Sequence, residues 1–541
     1  MRDGAVKTLF RKAAGSLLSD VKNEKNNLRR AFPAFGADVA ARSRTMFSRE
    51  NIRGLLINFC AVLLIGLVVS LLCSLKQGGM DLYLSVMLPF IIICLFQFGA
   101  ASLYESSIPY VTLTVILIFL GASLQIMLLL PVKDSSGAFK LAIFAGVGTV
   151  AGLVGVPVLN YLFNYMNKRL AALFSLGAAV LLYLVLLAAA PNISGTRAWL
   201  VIGPVSFQLT EVTKVLAVTA FACIYTDRGI TPLRRLLYAV GVLIVHAGAL
   251  VLVNELGTLV VISIIFVVLG FAFLPSAKGL LAVVLAGILC VGGLVGFSYK
   301  CYQIRYGEPE MTALSAPEGE GEAIDGSLTA ATATEPPAPQ KTHGRLYNKV
   351  VDKAATIFYK IRTRFQLVLD PGSVDEYGEG YQAKMARKAM LVTGWLGTSE
   401  KYEQNVPVIE SDYIFLYVLM KIGVIGALIV LAMLVGMMLE TTVRVAAGGK
   451  VTEQAAAIGF ICCIVVQSVI TAASSAGLIP TVGLTFAFLS DGGSATVMNY
   501  IMTYFIIYAM RRQRPESVPS GGGQRPAERR AQRGAVWRTE G

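Results

Sequence analysis

The sequence predicts an all-α polytopic membrane protein of about twelve transmembrane helices. Apolar runs of about twenty residues recur along the chain, the length at which an α-helix crosses the hydrocarbon of a bilayer. Only 15% of the 541 residues are charged and 55% are hydrophobic, whereas a soluble domain carries about 25% charged residues. The apolar runs are continuous rather than alternating, which disfavours a β-barrel.

In chain order, residues 1–53 form a basic, polar N-terminal tail with Arg11-Lys12 and Arg29-Arg30. No apolar core with a small-residue cleavage site precedes the first span, so no cleavable signal peptide is expected. Within 54–302, helices are expected near 54–75, 84–104, 108–131, 140–163, 169–190, 208–225, 235–253, 256–274 and 279–302. A large extracellular loop follows at 303–410. Its stretch 307–344, with EGEGEA and EPPAP, is acidic and rich in Pro, Ala, Thr and Gly. Such a composition cannot bury enough apolar surface to fold alone. From Arg345 cations alternate with aromatic and aliphatic residues at near-helical spacing, as in an amphipathic helix on a membrane surface. Further spans are expected near 411–440, 454–476 and 493–511, before an Arg-, Pro- and Gly-rich tail at 512–541.

An even number of spans puts both tails on one side. The basic segments that would share it are 164–169, 225–235, 444–450 and 511–538, and the positive-inside rule makes that side the cytoplasm. The formal net charge of +14 resides mainly in the tails and short loops, so nucleic acid is not an expected partner. The eight cysteines lie in or beside apolar runs without metal-ligand spacing, and read as small core residues. Two histidines, His246 in an apolar run and His343 in a polar loop, disfavour a histidine-based triad.

The candidate chemistry lies in polar residues at the edges of apolar runs. Asp412, in ESDYIFLYVLMKIGVIG, stands where the large loop gives way to a helix. A carboxylate there can stay ionised and reach a head group, whereas deep in lipid it would cost roughly 2.5–3.5 kcal/mol. Ser411 and Asp412 also suit a helix N-cap. Glu211 and Lys214 lie three apart on one helix face, as a functional pair or as a brace between helices. Glu255, in NELGT, is expected at a tight, partly solvated outer turn. Arg197 and Trp199, in GTRAW, precede the Glu211 helix. Arginine offers phosphate a planar fork of donors, and tryptophan prefers the membrane interface. In the Gly- and Pro-broken stretch 477–494, Gly492, Gly493 and Ser494 open the last helix, where free N–H groups could hold an anion.

Through these residues, over roughly 192–508, the chain resembles the SEDS family (RodA, FtsW and SpoVE). GTRAW and FQLTEVTK stand where the family carries Gly-x-Arg-x-Trp and Phe-Gln-Pro-Ser-Glu-x-x-Lys, which places Arg197, Trp199, Gln208, Glu211 and Lys214. NELGT replaces Pro-Asp-Leu-Gly-Thr and places Glu255. Tyr381-Gln382 through Gly394 and Gly397 resembles the family's Tyr-Gln stretch. PVIESDYIF places Asp412 at the family's catalytic aspartate. Gln467, Gly477, Pro480, Gly483, Phe488, Ser490 and Gly492–Ser494 match the last motif. The departures are Leu209-Thr210 before Glu211, Met420 and Lys421 in place of paired glutamates, Asp491 in place of an aromatic, and Thr485 and Ala487 in place of prolines.

The resemblance implies a core of about ten helices with two extra at the N-terminal side. It implies a peptidoglycan glycosyltransferase of the bacterial cytoplasmic membrane, both termini cytoplasmic, serving cell shape, division or sporulation. Its substrate would be lipid II, the undecaprenyl-diphosphate-linked disaccharide peptide. Asp412 would be the catalytic base, with Arg197 and Lys214 the cations nearest the diphosphate. Trp199, Gln208, Glu211, Glu255, Gln467, Ser490, Gly492, Gly493 and Ser494 would line the substrate site. The family also implies a divalent cation (Mg2+ or Mn2+), for which the sequence shows no dedicated cage. No Ser-x-x-Lys transpeptidase domain is read in the chain, so a class B penicillin-binding protein is the implied partner. Competing readings are a flippase or secondary transporter, which many spans and intramembrane charges would suit, and a non-catalytic scaffold.

Overall fold

The computed structural model describes residues 91–101, 103–104, 135–193, 196–202, 205–306, 379–398 and 409–510, with isolated positions within 30–64 and 351–368 and residue 406. The expected span at 108–131, most of that at 54–75, the acidic stretch 307–344 and the tail 512–541 lie outside the described residues. The elements are α1 (Ser135–Asn164), α2 (Lys168–Ala189), a hairpin of β1 (Trp199–Ile202) and β2 (Val205–Gln208), α3 (Leu209–Tyr225), α4 (Pro232–Val253), α5 (Leu256–Phe273), α6 (Ala277–Tyr306), α7 (Glu379–Leu391), α8 (Ile414–Ala446), α9 (Val451–Ser475) and α10 (Gly493–Ala509). A short apolar helix, Ile91–Ala101, falls within the expected span 84–104.

Seven of the described helices are long and apolar enough to cross a membrane, and the chain is a polytopic α-helical membrane protein. The helices α3 and α10 have 17 residues each. With α9 they form the centre of the bundle, buried on nearly every face. A helix that is apolar all round belongs in such a position. Helix starts follow local chemistry: Pro232 opens α4, where its missing N–H costs nothing, and the Thr231 hydroxyl accepts from the Arg234 N–H.

Small residues bring the helices close, as they do where lipid offers no hydrophobic drive between them. Gly148 and Gly152 on α1 lie against the rings of Tyr500 and Tyr504 on α10, where a Cβ would collide. Helix α8 is broken at Gly423 (φ 76°, ψ −177°). The loop 394–398 enters the break. Thr398 N–H donates to Met420 O (2.7 Å), and the Val424 and Ile425 N–H groups donate to Gly394 O (3.4 Å) and Trp395 O (3.3 Å). Backbone groups freed inside a membrane helix must be re-paired in this way.

The basic tail and the amphipathic stretch after Arg345 are both partly packed against the bundle. Ala31 is buried, and the Phe35 ring lies 5.8 Å from Tyr508 and 6.3 Å from Tyr104, so the N-terminal tail reaches one end of the bundle. Beyond the acidic stretch, Val351, Ala354 and Ala355 bury against Cys301 of α6, beside an Arg305–Asp352 ion pair of 2.6 Å. That amphipathic face meets a helix end.

The same end as Tyr508 carries a polar seam. Lys168 Nζ donates to Thr226 O (2.8 Å), the Thr226 and Thr452 hydroxyls are 3.0 Å apart, and Asn164 bonds Glu453. Arg169 pairs with Asp227 at 2.9 Å. Burial raises the Asp227 carboxyl, but the Arg169 hydrogen bond, the Gly229 N–H and the nearby cations outweigh it and hold it below the usual range.

Candidate functional site

At the opposite end of the bundle the hairpin folds the chain back so that Trp199 pairs with Gln208. Trp199 is half-buried there and the Arg197 side chain is exposed. The Arg197 N–H donates to Val253 O (3.0 Å), which sets this loop beside the turn between α4 and α5. That turn is tight: Asn254 adopts a left-handed conformation (φ 66°). Gln208 ties the pieces together. Its Nε2 donates to Glu255 Oε1 (2.8 Å), and its backbone N–H donates to Ser494 Oγ at the start of α10 (3.1 Å).

Glu255 was expected to be partly solvated, but it is 7% exposed. Burial pushes its carboxyl up to about 7. The Glu211 charge adds to the rise, while the Gln208 hydrogen bond and the cations Lys214 and Arg364 oppose it. One turn into α3, Lys214 is fully buried. Its Nζ lies 2.8 and 2.7 Å from the two Glu211 oxygens and donates to Gln467 Oε1 (2.7 Å). Gln467 Nε2 in turn donates to Asn499 Oδ1 (2.9 Å). The pair therefore joins α3, α9 and α10 through charge-assisted bonds, and the ammonium is enclosed rather than presented to a ligand.

Asp412 is not the helix cap that its position allowed. Helix α8 starts at Ile414 with Tyr413 as N-cap and no side-chain capping bond. Instead the end of α9 and the loop after it clamp the segment: Ser475 Oγ donates to Asp412 O, Ser490 Oγ to Ser411 O, and Asp491 N–H to Glu410 O, each 2.9 Å. Ser490 Oγ also accepts from Phe486 N–H (2.8 Å). Burial raises the Asp412 carboxyl above the ordinary carboxylate range; the Ser411 hydrogen bond and Arg364 partly offset this, and Glu410 adds to it.

Beside this clamp lies a cavity of about 470 Å³. Tyr413, Ser474, Ser475 and the residues just after α9 form one wall. One face of α7, with Arg364 and Val368, forms the other.

The Gly492–Ser494 turn is packed. A Cβ on Gly493 would collide with the Phe144 ring and one on Gly492 with Thr485, and the Gly492 N–H already donates to Ser490 O (2.9 Å). Of the N–H groups in the turn expected to hold an anion, that of Gly492 is therefore bonded within the protein. The unusual Asp491 faces Lys140 of α1 at 3.9 Å. Lys421 is mostly buried, its Nζ 5.4 Å from the Tyr417 ring centroid. Among the described residues no three His, Cys, Asp or Glu side chains gather to hold a cation, so the implied divalent ion has no protein cage there.

The structure thus joins Gln208 with Glu255 and Ser494 in one hydrogen-bonded group and Lys214 with Glu211 and Gln467 in another, close enough for the charges of Glu211 and Lys214 to act on Glu255, and sets Ser490 against the Asp412 segment. Sequence reasoning missed Asn499, Ser475, Arg364 and Arg387. Arg364 lies in the stretch after Arg345 already read as amphipathic, and Arg387 stands at helical spacing from Ala383 and Met390; Asn499 and Ser475 carried no local signal.

The family model of FtsW, RodA and SpoVE cell cycle proteins matches residues 107–333 and 348–515. A probable peptidoglycan glycosyltransferase FtsW of Pseudoalteromonas translucida is 23% identical over 358 residues, 64% of this chain and 74% of the relative. Its counterpart in Hydrogenovibrio crunogenus is 27% identical over 366 residues, 66% of this chain and 77% of the relative. A solved chain from a study of polymerization and crosslinking by a peptidoglycan synthase complex shares the fold, with a TM-score of 0.54 and 18% identity over 75% of this chain and 98% of that one. With the family match spanning most of its length, the chain belongs to the FtsW/RodA/SpoVE family.

Proposed function

We propose that the chain is a peptidoglycan glycosyltransferase that polymerises lipid II at the outer face of the cytoplasmic membrane, with Asp412 as general base. The observation that carries this reading is the position of Asp412: half-buried, its backbone carbonyl held by the Ser475 hydroxyl and that of Ser411 by the Ser490 hydroxyl, and next in the chain to Tyr413, which lines a cavity of about 470 Å³. Burial raises its proton affinity, which makes a carboxylate a better base. The hydroxyl of one lipid II gives its proton to Asp412 as its oxygen attacks the anomeric carbon of a second. The new glycosidic bond forms as the bond to the diphosphate breaks, and the polyprenyl diphosphate leaves with the electron pair. Attack from the face opposite the leaving group inverts an α-linked donor into a β-linked strand. Lys214 and its partners hold the helices beneath this site.

Arg169, Arg234, Arg235 and Lys450 occupy the other end of the bundle, and the positive-inside rule assigns that end, with both termini, to the cytoplasm. The fold shared with a chain of a peptidoglycan synthase complex supports a transpeptidase partner of the class B penicillin-binding type. The test is the purified protein with labelled lipid II in liposomes. A ladder of glycan chains is expected. Movement of lipid between leaflets without polymer would instead mark a flippase, and neither outcome would mark a scaffold.

A further inference from the structure

We propose that the cavity beside Asp412 binds the diphosphate of a polyprenyl diphosphate through Arg364 and Arg387, with the prenyl chain leaving along the apolar end of α7. The proposal takes its ligand class from the glycosyltransferase reading, but the binding it describes is testable without turnover. Ala383, Ala386, Arg387, Met390 and Leu391 all line the cavity. Their spacing puts them on one face of α7. The two alanines leave room and Arg387 stands between them and the apolar end. Arg364 and Val368, one turn apart, line the same cavity. Among the described residues that line it none is a carboxylate, and the two arginines are the cations of that described wall. Arginine's fork of donors matches phosphate oxygens in pairs, and two such cations suit the several charges of a diphosphate.

The segment that leaves the cavity wall at Leu391 also suits an alkyl chain. Leu391, Leu396 and Trp395 follow Arg387 in the chain and are 81%, 69% and 71% exposed. Tryptophan and aliphatic side chains beside cations are the arrangement that meets a lipid at the membrane boundary. Arg364 is close enough to both Asp412 and Glu255 to lower the proton affinity of each. A diphosphate held there would sit within reach of the proposed base. Arg197 does not line the cavity, and Lys214 is enclosed by Glu211 and Gln467.

The test is equilibrium binding of labelled undecaprenyl diphosphate to the full chain in phosphatidylcholine nanodiscs. Arg387→Gln and Arg364→Gln should each weaken binding about tenfold, the size of one charge-assisted hydrogen bond. Arg387→Lys should recover part of the loss. Inorganic pyrophosphate should compete weakly for want of a tail. Unaltered affinity in both glutamine variants, no binding by the unaltered protein, or full competition by phosphatidylglycerol would overturn the proposal. Binding that depends on both arginines in a protein that makes no glycan would leave the proposal standing and remove the glycosyltransferase reading. Normal polymerisation with both arginines replaced would do the reverse.

Discussion

Lys214 lies among three helices with Glu211 on one side and Gln467 on the other, and the brace makes a sharp prediction. Lys214→Met leaves the Glu211 carboxylate buried without its cation, which costs about 3–5 kcal/mol. The thermal unfolding midpoint in detergent should fall, and adding Glu211→Gln should restore much of it; an unchanged midpoint in the single variant would refute the brace. Glu255 makes a prediction in pH. Its carboxyl titrates at about 7 when folded against about 4.3 for a free glutamate. The folded protein therefore holds more protons between those values. The stability tied to this group is full below pH 4.3 or so and is lost as pH rises through 7. Glu255→Gln should flatten that dependence, by about 4 kcal/mol at most across the interval; identical slopes would contradict the assignment. These carboxyls were legible in the sequence because an ionisable residue beside apolar runs stands out. Asn499 was not, since its partner Gln467 lies on another helix and no local pattern joins them.

Helix α8 shows what hydropathy can and cannot reveal. The apolar run at 411–440 reads as one helix, and its extent was nearly right. The break at Gly423 was invisible because its cause is the loop 394–398, which supplies the missing hydrogen bonds from outside the run. The conformation at Gly423 is one that only glycine adopts freely, and other residues there cost about 1–3 kcal/mol. A Cβ would also collide with the Trp395 carbonyl. Gly423→Ala should therefore lower the unfolding midpoint and expose the 394–398 loop to protease; a stable, protease-resistant variant would show the break to be incidental. The glycines of the last motif had the opposite fate. Their pattern suggested N–H groups open to an anion; the structure adds that Gly493 lies against Phe144 and Gly492 against Thr485, contacts that no spacing within the motif announces.

Across the whole molecule, the described spans fall within a few residues of their expected bounds, from Ala142–Asn164 to Val451–Ser475, because length and apolarity decide them. Which loops share an end of the bundle was legible too. The segments matched by motif meet at one end through Arg197–Val253, Gln208–Ser494 and Ser490–Ser411 contacts, while Lys168, Arg169 and Thr452 meet at the other. What sequence could not supply was the cavity, whose walls come from 364–391 and from the end of α9. Orientation is tested by labelling intact cells with a membrane-impermeant thiol reagent. A cysteine replacing Thr481 should react and one replacing Gly229 should not; the reverse pattern would place the cavity in the cytoplasm.

The most direct measurement compares lipid II polymerisation by the unaltered protein and by Asp412→Asn, with folding checked by the unfolding midpoint. Loss of at least about a hundredfold in rate at an unchanged midpoint is predicted, the scale of a general base. A variant that folds normally and polymerises at the full rate would contradict the account.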